Sequence, residues 1–191
     1  MQISSDLIKA CISQERKAQK QLYELLLSYL RAVANRYLRD ISYSKDVLQE
    51  SFVKIFKNLG TYNPQIAPCH QWAARIVINT CINYNQRVSV KSHEELTTIH
   101  HNMPITSETI QVISDEYLLF LLKQMPNEYF EVFNLFVIDD YSHQEIAEFL
   151  NINESLSRKR LSRAKEWLRE AFKAQANNTV FRYESKQFFL N

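Results

Sequence analysis

The chain has 191 residues, of which 46% are apolar, with one glycine, four prolines and a formal net charge of +2. So few turn-forming residues leave little room for hairpins, which excludes an ordinary β-sandwich or barrel and points to an all-α fold. A charge so near zero excludes a nonspecific polycation, and no stretch reaches the roughly 18 apolar residues of a membrane helix.

The beginning of the chain, MQISSDLIKACISQERK, lacks a basic start followed by an apolar run, so no secretory signal and no membrane insertion are expected. Leu22, Leu25, Leu26, Tyr29, Val33 and Tyr37 keep a three-and-four rhythm that predicts one long helix from Ser13 to Leu38. Ser44 can cap a second helix, with Asp46 in its first turn and Leu48, Phe52, Ile55, Phe56 and Leu59 on its buried side. Gly60 stands where a helix C-terminus calls for a glycine. Pro64 and Pro68 make residues 61–69 a loop, and a third helix is expected from His70 to Arg87. The polar, aperiodic stretch that follows, with His93, His100, His101 and Pro104, reads as an interdomain linker.

Helices resume near Ser107. Pro126 suits the first position of a new helix, whose core side would be Phe130, Phe133, Phe136 and Val137. Ser142 and Glu145 form a capping box for a helix with Ile146, Ala147 and Leu150 on one stripe. Residues 151–153 break it, and Asn153 can cap the next helix. There Leu161, Ala164, Leu168 and Ala171 face a core, with Ser157 the one polar member of the stripe. Ser155, Arg158, Lys159, Ser162 and Arg163 lie opposite. That is the layout of a helix-turn-helix whose second helix enters a DNA major groove; a solvated basic face is the plainer reading of the same charges. The expected division is a first domain over 1–90, a linker over 91–113, a helix-turn-helix domain over 114–175 and a tail over 176–191. The tail, with Val180, Phe181, Tyr183, Phe188, Phe189 and Leu190, is too apolar to stay solvated. It either lengthens the last helix by packing or holds the domains closed.

Three cysteines without CxxC spacing fit reduced thiols in a cytoplasmic protein. Neither Cys69-His70 nor His100-His101 belongs to a set of four ligands at zinc spacing, so no metal or other cofactor is expected. A glycine-rich phosphate loop and a nucleophile elbow are both missing, which argues against an enzyme.

Two stretches resemble one family. DVLQESF at 46–52 with WAARIVINTCINY at 72–84 is similar to region two of the extracytoplasmic-function sigma factors of bacterial RNA polymerase. Met125-Pro126, YSHQEIA at 141–147 and LSRAKEWL at 161–168 resemble their region four. The resemblance implies a non-enzymatic adaptor that binds core RNA polymerase and promoter DNA and is held by an anti-sigma factor. It places polymerase binding on the exposed side of the second helix, at Asp46, Gln49, Glu50 and Val53. It places promoter melting on Trp72, Arg75, Asn79 and Asn83 and the preceding loop, where a flipped base would be received. A buried, structural Trp72 is the alternative. It assigns the upstream promoter element to Ser155, Arg158, Lys159, Ser162 and Arg163. The sequence departs from the family at Leu156, Ser157, Asn83 and Ala73; Leu156 puts a phosphate contact at the helix start in doubt, and Ser157 weakens the helix's first packing contact. The rival reading is an ordinary helix-turn-helix regulator that binds operator DNA as a dimer, which leaves the first-half motifs without a purpose.

Overall fold

The computed structural model describes residues 3–92 and 115–188, and these form helices with no strand among them. The chain divides into two compact units, Met1–Met103 and Pro104–Asn191. The first holds α1 (Ser5–Ile12), α2 (Arg16–Tyr37), α3 (Ser44–Asn58) and α4 (Cys69–Ser92). The second holds α5 (Asp115–Gln124), α6 (Asn127–Phe133), α7 (His143–Leu150) and α8 (Glu154–Phe188).

In the first unit α2, α3 and α4 pack on one another, and α1 lies against α2. The core face of α2 is Leu22, Leu26, Leu30, Val33 and Tyr37, whereas Leu25 and Tyr29 of the expected stripe are exposed. The helix expected from Ser13 to Leu38 is α2, which starts three residues later at Arg16, and α1 is an additional helix before it. Gln14 takes a left-handed conformation, φ 61°, and ends α1; glutamine carries no turn signature that the sequence could reveal. Ser4 caps α1 by accepting from the Leu7 amide at 3.2 Å.

Two expected helix ends work differently. Ser44 is the first residue of α3 and not its cap: Tyr43 holds the cap position with no side-chain bond, and the Ser44 hydroxyl is buried without a partner. The local capping falls to Asp40, which accepts from the Ser42 amide at 2.8 Å and starts a 3-10 turn, Ile41–Tyr43. Gly60 does not supply a left-handed C-cap, because no glycine here has positive φ; it sits in a second 3-10 turn, Leu59–Thr61. Asn85, buried on α4, closes the end of α2: its Nδ2 donates to the Tyr37 carbonyl at 2.8 Å and its Oδ1 accepts from the Arg39 amide at 3.3 Å.

The second unit is built around Leu121, Leu122, Met125, Phe130, Ala164 and Leu168. Pro126 is the N-cap of α6, one place before its first helical residue, and its carbonyl accepts from Tyr129 and Phe130 at 3.0 Å. A π-turn, Asn134–Ile138, follows α6 directly. The extra residue per turn rotates the chain, so Leu135 is buried while Val137, expected in the core, is exposed. α4 runs past Arg87 into the stretch read as linker, and α8 continues through Phe188, so the backbone of the expected tail is helical that far. His93, His100, His101, Ser107, Phe189 and Leu190 lie outside the described residues.

A methyl group on Gly60 meets nothing within 4 Å. Gly60→Ala should therefore stabilise the first unit by about 0.4–1 kcal/mol, by restricting the unfolded chain. The shift of its denaturant midpoint at unchanged slope measures this; a loss of stability would show that the turn needs glycine after all.

Candidate nucleic-acid and partner interfaces

On α3, burial of Val47, Leu48, Ser51, Phe52 and Ile55 turns the other side outward. Asp46 and Gln49 are exposed, Val53 is 64% exposed, and Glu50 is half-buried. Glu50 is not equivalent to its neighbours. Its carboxylate pairs with Lys54 at 2.6 Å, and Lys54 also donates to Thr80 on α4 at 3.2 Å. Gln49 and Val53 line a groove of about 640 Å³ between α2 and α3, whose other wall is the α2 stripe Tyr23, Leu27 and Arg31. Asp46 and Glu50 do not line it. The sequence-based set thus splits between groove and open face, and it omitted α2. The i, i+4, i+8 spacing of Tyr23, Leu27 and Arg31 was the available signal.

On α4, Ala73, Ala74, Val77, Ile78, Cys81 and Ile82 are buried. Asn79 and Asn83 are exposed, and Trp72 and Arg75 are half-buried. The small side chain at position 73 is explained by its complete burial. Trp72 is neither core nor free: its ring centroid lies 5.5 Å from that of Tyr62 at the start of the preceding loop. Asn63 shapes that loop by accepting from the Gln65 amide at 2.9 Å, and the Pro68 carbonyl accepts from Gln71 and Trp72 at the start of α4. Ile66, between the two prolines, is 77% exposed. A ring backed by a second ring, beside amides on one helix face, can stack a base and bond its edge. Tyr62 falls inside the loop expected over residues 61–69; its contact with Trp72 needed the fold.

The helix-turn-helix forms as the caps require. Ser142 Oγ accepts from the Glu145 amide at 3.2 Å while Glu145 accepts from the Ser142 amide at 2.9 Å. Asn151 ends α7 in a left-handed conformation, and Asn153 starts α8 by accepting from the Leu156 amide at 2.8 Å. Ser155, Arg158, Lys159, Ser162 and Arg163 are all exposed, while Leu161, Ala164 and Leu168 are buried. Arg158 pairs with Glu154 and Arg163 with Glu166, whereas Lys159 makes no ion pair among the described residues.

Ser157 keeps its place on the packed face of α8. It is fully buried, and its hydroxyl lies 2.8 Å from His143 Nδ1 on α7. The His143 ring stacks on Phe136, with centroids 4.5 Å apart. Partial burial lowers the His143 pKa from its ordinary 6.5, and the positive charge of Arg158 pushes the same way. All three cysteines are free and buried; burial raises Cys69 to about 11 and Cys81 to about 12, so neither is a ready thiolate. No cluster of His, Cys, Asp or Glu that could hold a metal occurs among the described residues. No helix among them is long and apolar enough to cross a membrane.

Two helical units, one with a polar and aromatic helix face and the other with a cationic helix-turn-helix, define a protein of the DNA-reading class. The family model for sigma-70 region 2 matches residues 22–89, and that for sigma-70 region 4 matches 115–168. The chain belongs to the extracytoplasmic-function sigma factors, and it functions by binding core RNA polymerase and directing promoter recognition in transcription initiation. It is similar to the ECF RNA polymerase sigma-E factor of Haemophilus influenzae, with 24% identity over 84% of this chain and 92% of that one. It is also similar to the ECF sigma factor SigM of Bacillus subtilis, 21% identical over 83% and 97% of the two chains. Among solved structures, CnrH in complex with the cytosolic domain of CnrY shares the fold with a TM-score of 0.53 and 21% identity, covering 88% of this chain and 96% of that one. The sigma factor RpoE in complex with the anti-sigma factor NepR, from Bartonella quintana, does so at 0.59 and 18%, covering 81% and 96%.

The His143 shift sets an acid limit on the second unit. Below 6.5 the unfolded chain takes up a proton that the folded ring resists, so stability falls as pH drops through that value towards the lowered folded pKa. His143→Gln should flatten this acid limb in a plot of the second unit's thermal midpoint against pH. A slope equal to wild type would remove His143 as its cause.

Proposed function

We propose that the two units divide initiation between them along the lines 1–90 and 114–175. The first holds core polymerase through Asp46, Gln49, Glu50 and Val53 and opens the promoter through Trp72, Arg75, Asn79 and Asn83. The second reads the upstream element through Ser155, Arg158, Lys159, Ser162 and Arg163. The observation that carries this reading is the sorting on α8: every member of the last set is exposed, while Ser157, Leu161, Ala164 and Leu168 on the other side are buried. A helix so sorted presents one cationic face to a groove, where arginine can bond guanine with both nitrogens and lysine and serine can hold phosphates. The groove beside Gln49 and Val53, apolar along Leu27, Phe52 and Phe56, supports a protein contact on the first unit. The half-buried Trp72–Tyr62 pair supports a stacking platform for an unpaired base.

The protein works in the cytoplasm and performs no covalent chemistry of its own. The RpoE structure with its anti-sigma factor motivates the further proposal that this chain also has an anti-sigma partner.

Asp46→Ala with Gln49→Ala should weaken binding to core polymerase and leave helicity and thermal unfolding nearly unchanged, because both side chains are exposed. Binding to core equal to wild type would sink the assignment of that face. Arg158→Ala should cost roughly 1–3 kcal/mol in binding of upstream-element duplex. Trp72→Ala or Asn79→Ala should spare duplex binding and reduce strand opening, read from the permanganate reactivity of unpaired thymines. Impaired opening with intact duplex binding in Arg158→Ala would overturn the division of labour.

A further inference from the structure

We propose that the pocket between the start of α6 and α8 is a seat for one backbone phosphate of the promoter duplex, and that Glu128 occupies its cation until the phosphate arrives. The proposal rests on α8 being the duplex-facing helix. The pocket has a volume of about 330 Å³ and is lined by Glu128, Tyr129, Leu156, Lys159, Arg160 and Arg163. Three cationic side chains share it with one carboxylate.

Arg160 is the centre of the argument. It is not in the exposed groove-facing set: its side chain is only 20% exposed, and its Nε is buried with no hydrogen-bond partner. Its NH2 group donates to Glu128 Oε2 at 3.3 Å, long for a charge-assisted bond, which normally spans about 2.7–2.9 Å. Glu128 is 51% exposed. A confined guanidinium is therefore answered by a loosely held carboxylate on a solvated arm. A guanidinium so poorly matched is costly to bury, and a phosphate fits its planar fork better than a single carboxylate oxygen at that range.

The neighbours complete the seat. Lys159 makes no ion pair among the described residues. Arg163 and its partner Glu166 are both more than half exposed, so that pair can exchange. Lys159 and Arg163 belong both to this pocket and to the groove-facing set, so a duplex lying along that set brings its backbone to the pocket mouth. Leu156 forms part of the wall and has no side-chain donor. The phosphate contact in doubt at position 156 is supplied instead by Arg160 and Lys159, one turn further along α8.

The test uses holoenzyme reconstituted with core polymerase on a promoter duplex found by run-off transcription of genomic fragments. Binding is measured against salt for wild type, Glu128→Gln and Arg160→Gln, with thermal unfolding of each variant as the control for folding. Glu128→Gln removes the competing charge and leaves Arg160 in place, so it should tighten binding several-fold. Replacing one particular phosphate by an uncharged methylphosphonate should erase that gain. Arg160→Gln should lower the slope of log affinity against log salt by about 0.9, the loss of one neutralised phosphate, and should be indifferent to the same methylphosphonate. Unchanged or weaker binding by a folded Glu128→Gln variant overturns the proposal, as does a gain that no single methylphosphonate erases. If Arg158→Ala and Arg163→Ala weaken binding while Glu128→Gln does not tighten it, the pocket alone fails. If none of the α8 variants changes binding, the reading of α8 fails with it.

Discussion

The packing of α4 against both α2 and α3 is the constraint on which the first unit depends. α4 commits Ala73, Ala74, Val77, Ile78, Cys81 and Ile82 to the interior, and this fixes where Trp72, Asn79 and Asn83 can point. A helix has one angular coordinate to spend: choosing the buried stripe chooses the outward one. The same holds for α3, where burying Val47, Phe52 and Ile55 leaves Asp46, Gln49 and Val53 outside. Lys54 ties the two helices together by pairing with Glu50 and donating to Thr80, so the outward faces of α3 and α4 are held relative to one another.

The second unit solves the same problem with less apolar material. α7 has only Ile146 and Ala147 fully committed to its core, and α8 begins with a buried serine. The hydrogen bond between Ser157 and His143 satisfies both side chains, where a valine at 157 would leave His143 Nδ1 without this partner, and Phe136 stacks on the imidazole. The bond ties α7 to α8, as polar core contacts can do where apolar packing is thin.

Helices, their order and the outward faces of α4 and α8 were legible because the signals are local: the capping box at Ser142, the Asn153 cap and the three-and-four apolar rhythm. The misses were of two kinds. Some were local events without a sequence mark. Gln14 is not a turn former, and the π-turn at Asn134–Ile138 inserts one residue and exchanges Val137 for Leu135 with no change in composition. Others needed tertiary knowledge. The α2 wall of the groove and the Arg160–Glu128 pair join residues far apart in the chain, and only the fold brings them together. Trp72 belonged to both of its readings, since a half-buried ring serves packing and leaves an accessible face.

The turns of this protein carry one further consequence. Among the described residues three other than glycine, Gln14, Asp140 and Asn151, adopt left-handed backbone conformations. Side chains at such positions restrict the backbone more tightly than glycine does, at a cost of order 1 kcal/mol each. Asp140 and Asn151 flank α7, so α7 meets the π-turn before it and α8 after it through stiff joints. The disorder that a glycine-rich turn would surrender on docking has already been surrendered during folding. Recognition thus begins from a prepared geometry, and less of the free energy of each contact with DNA is consumed in ordering the protein.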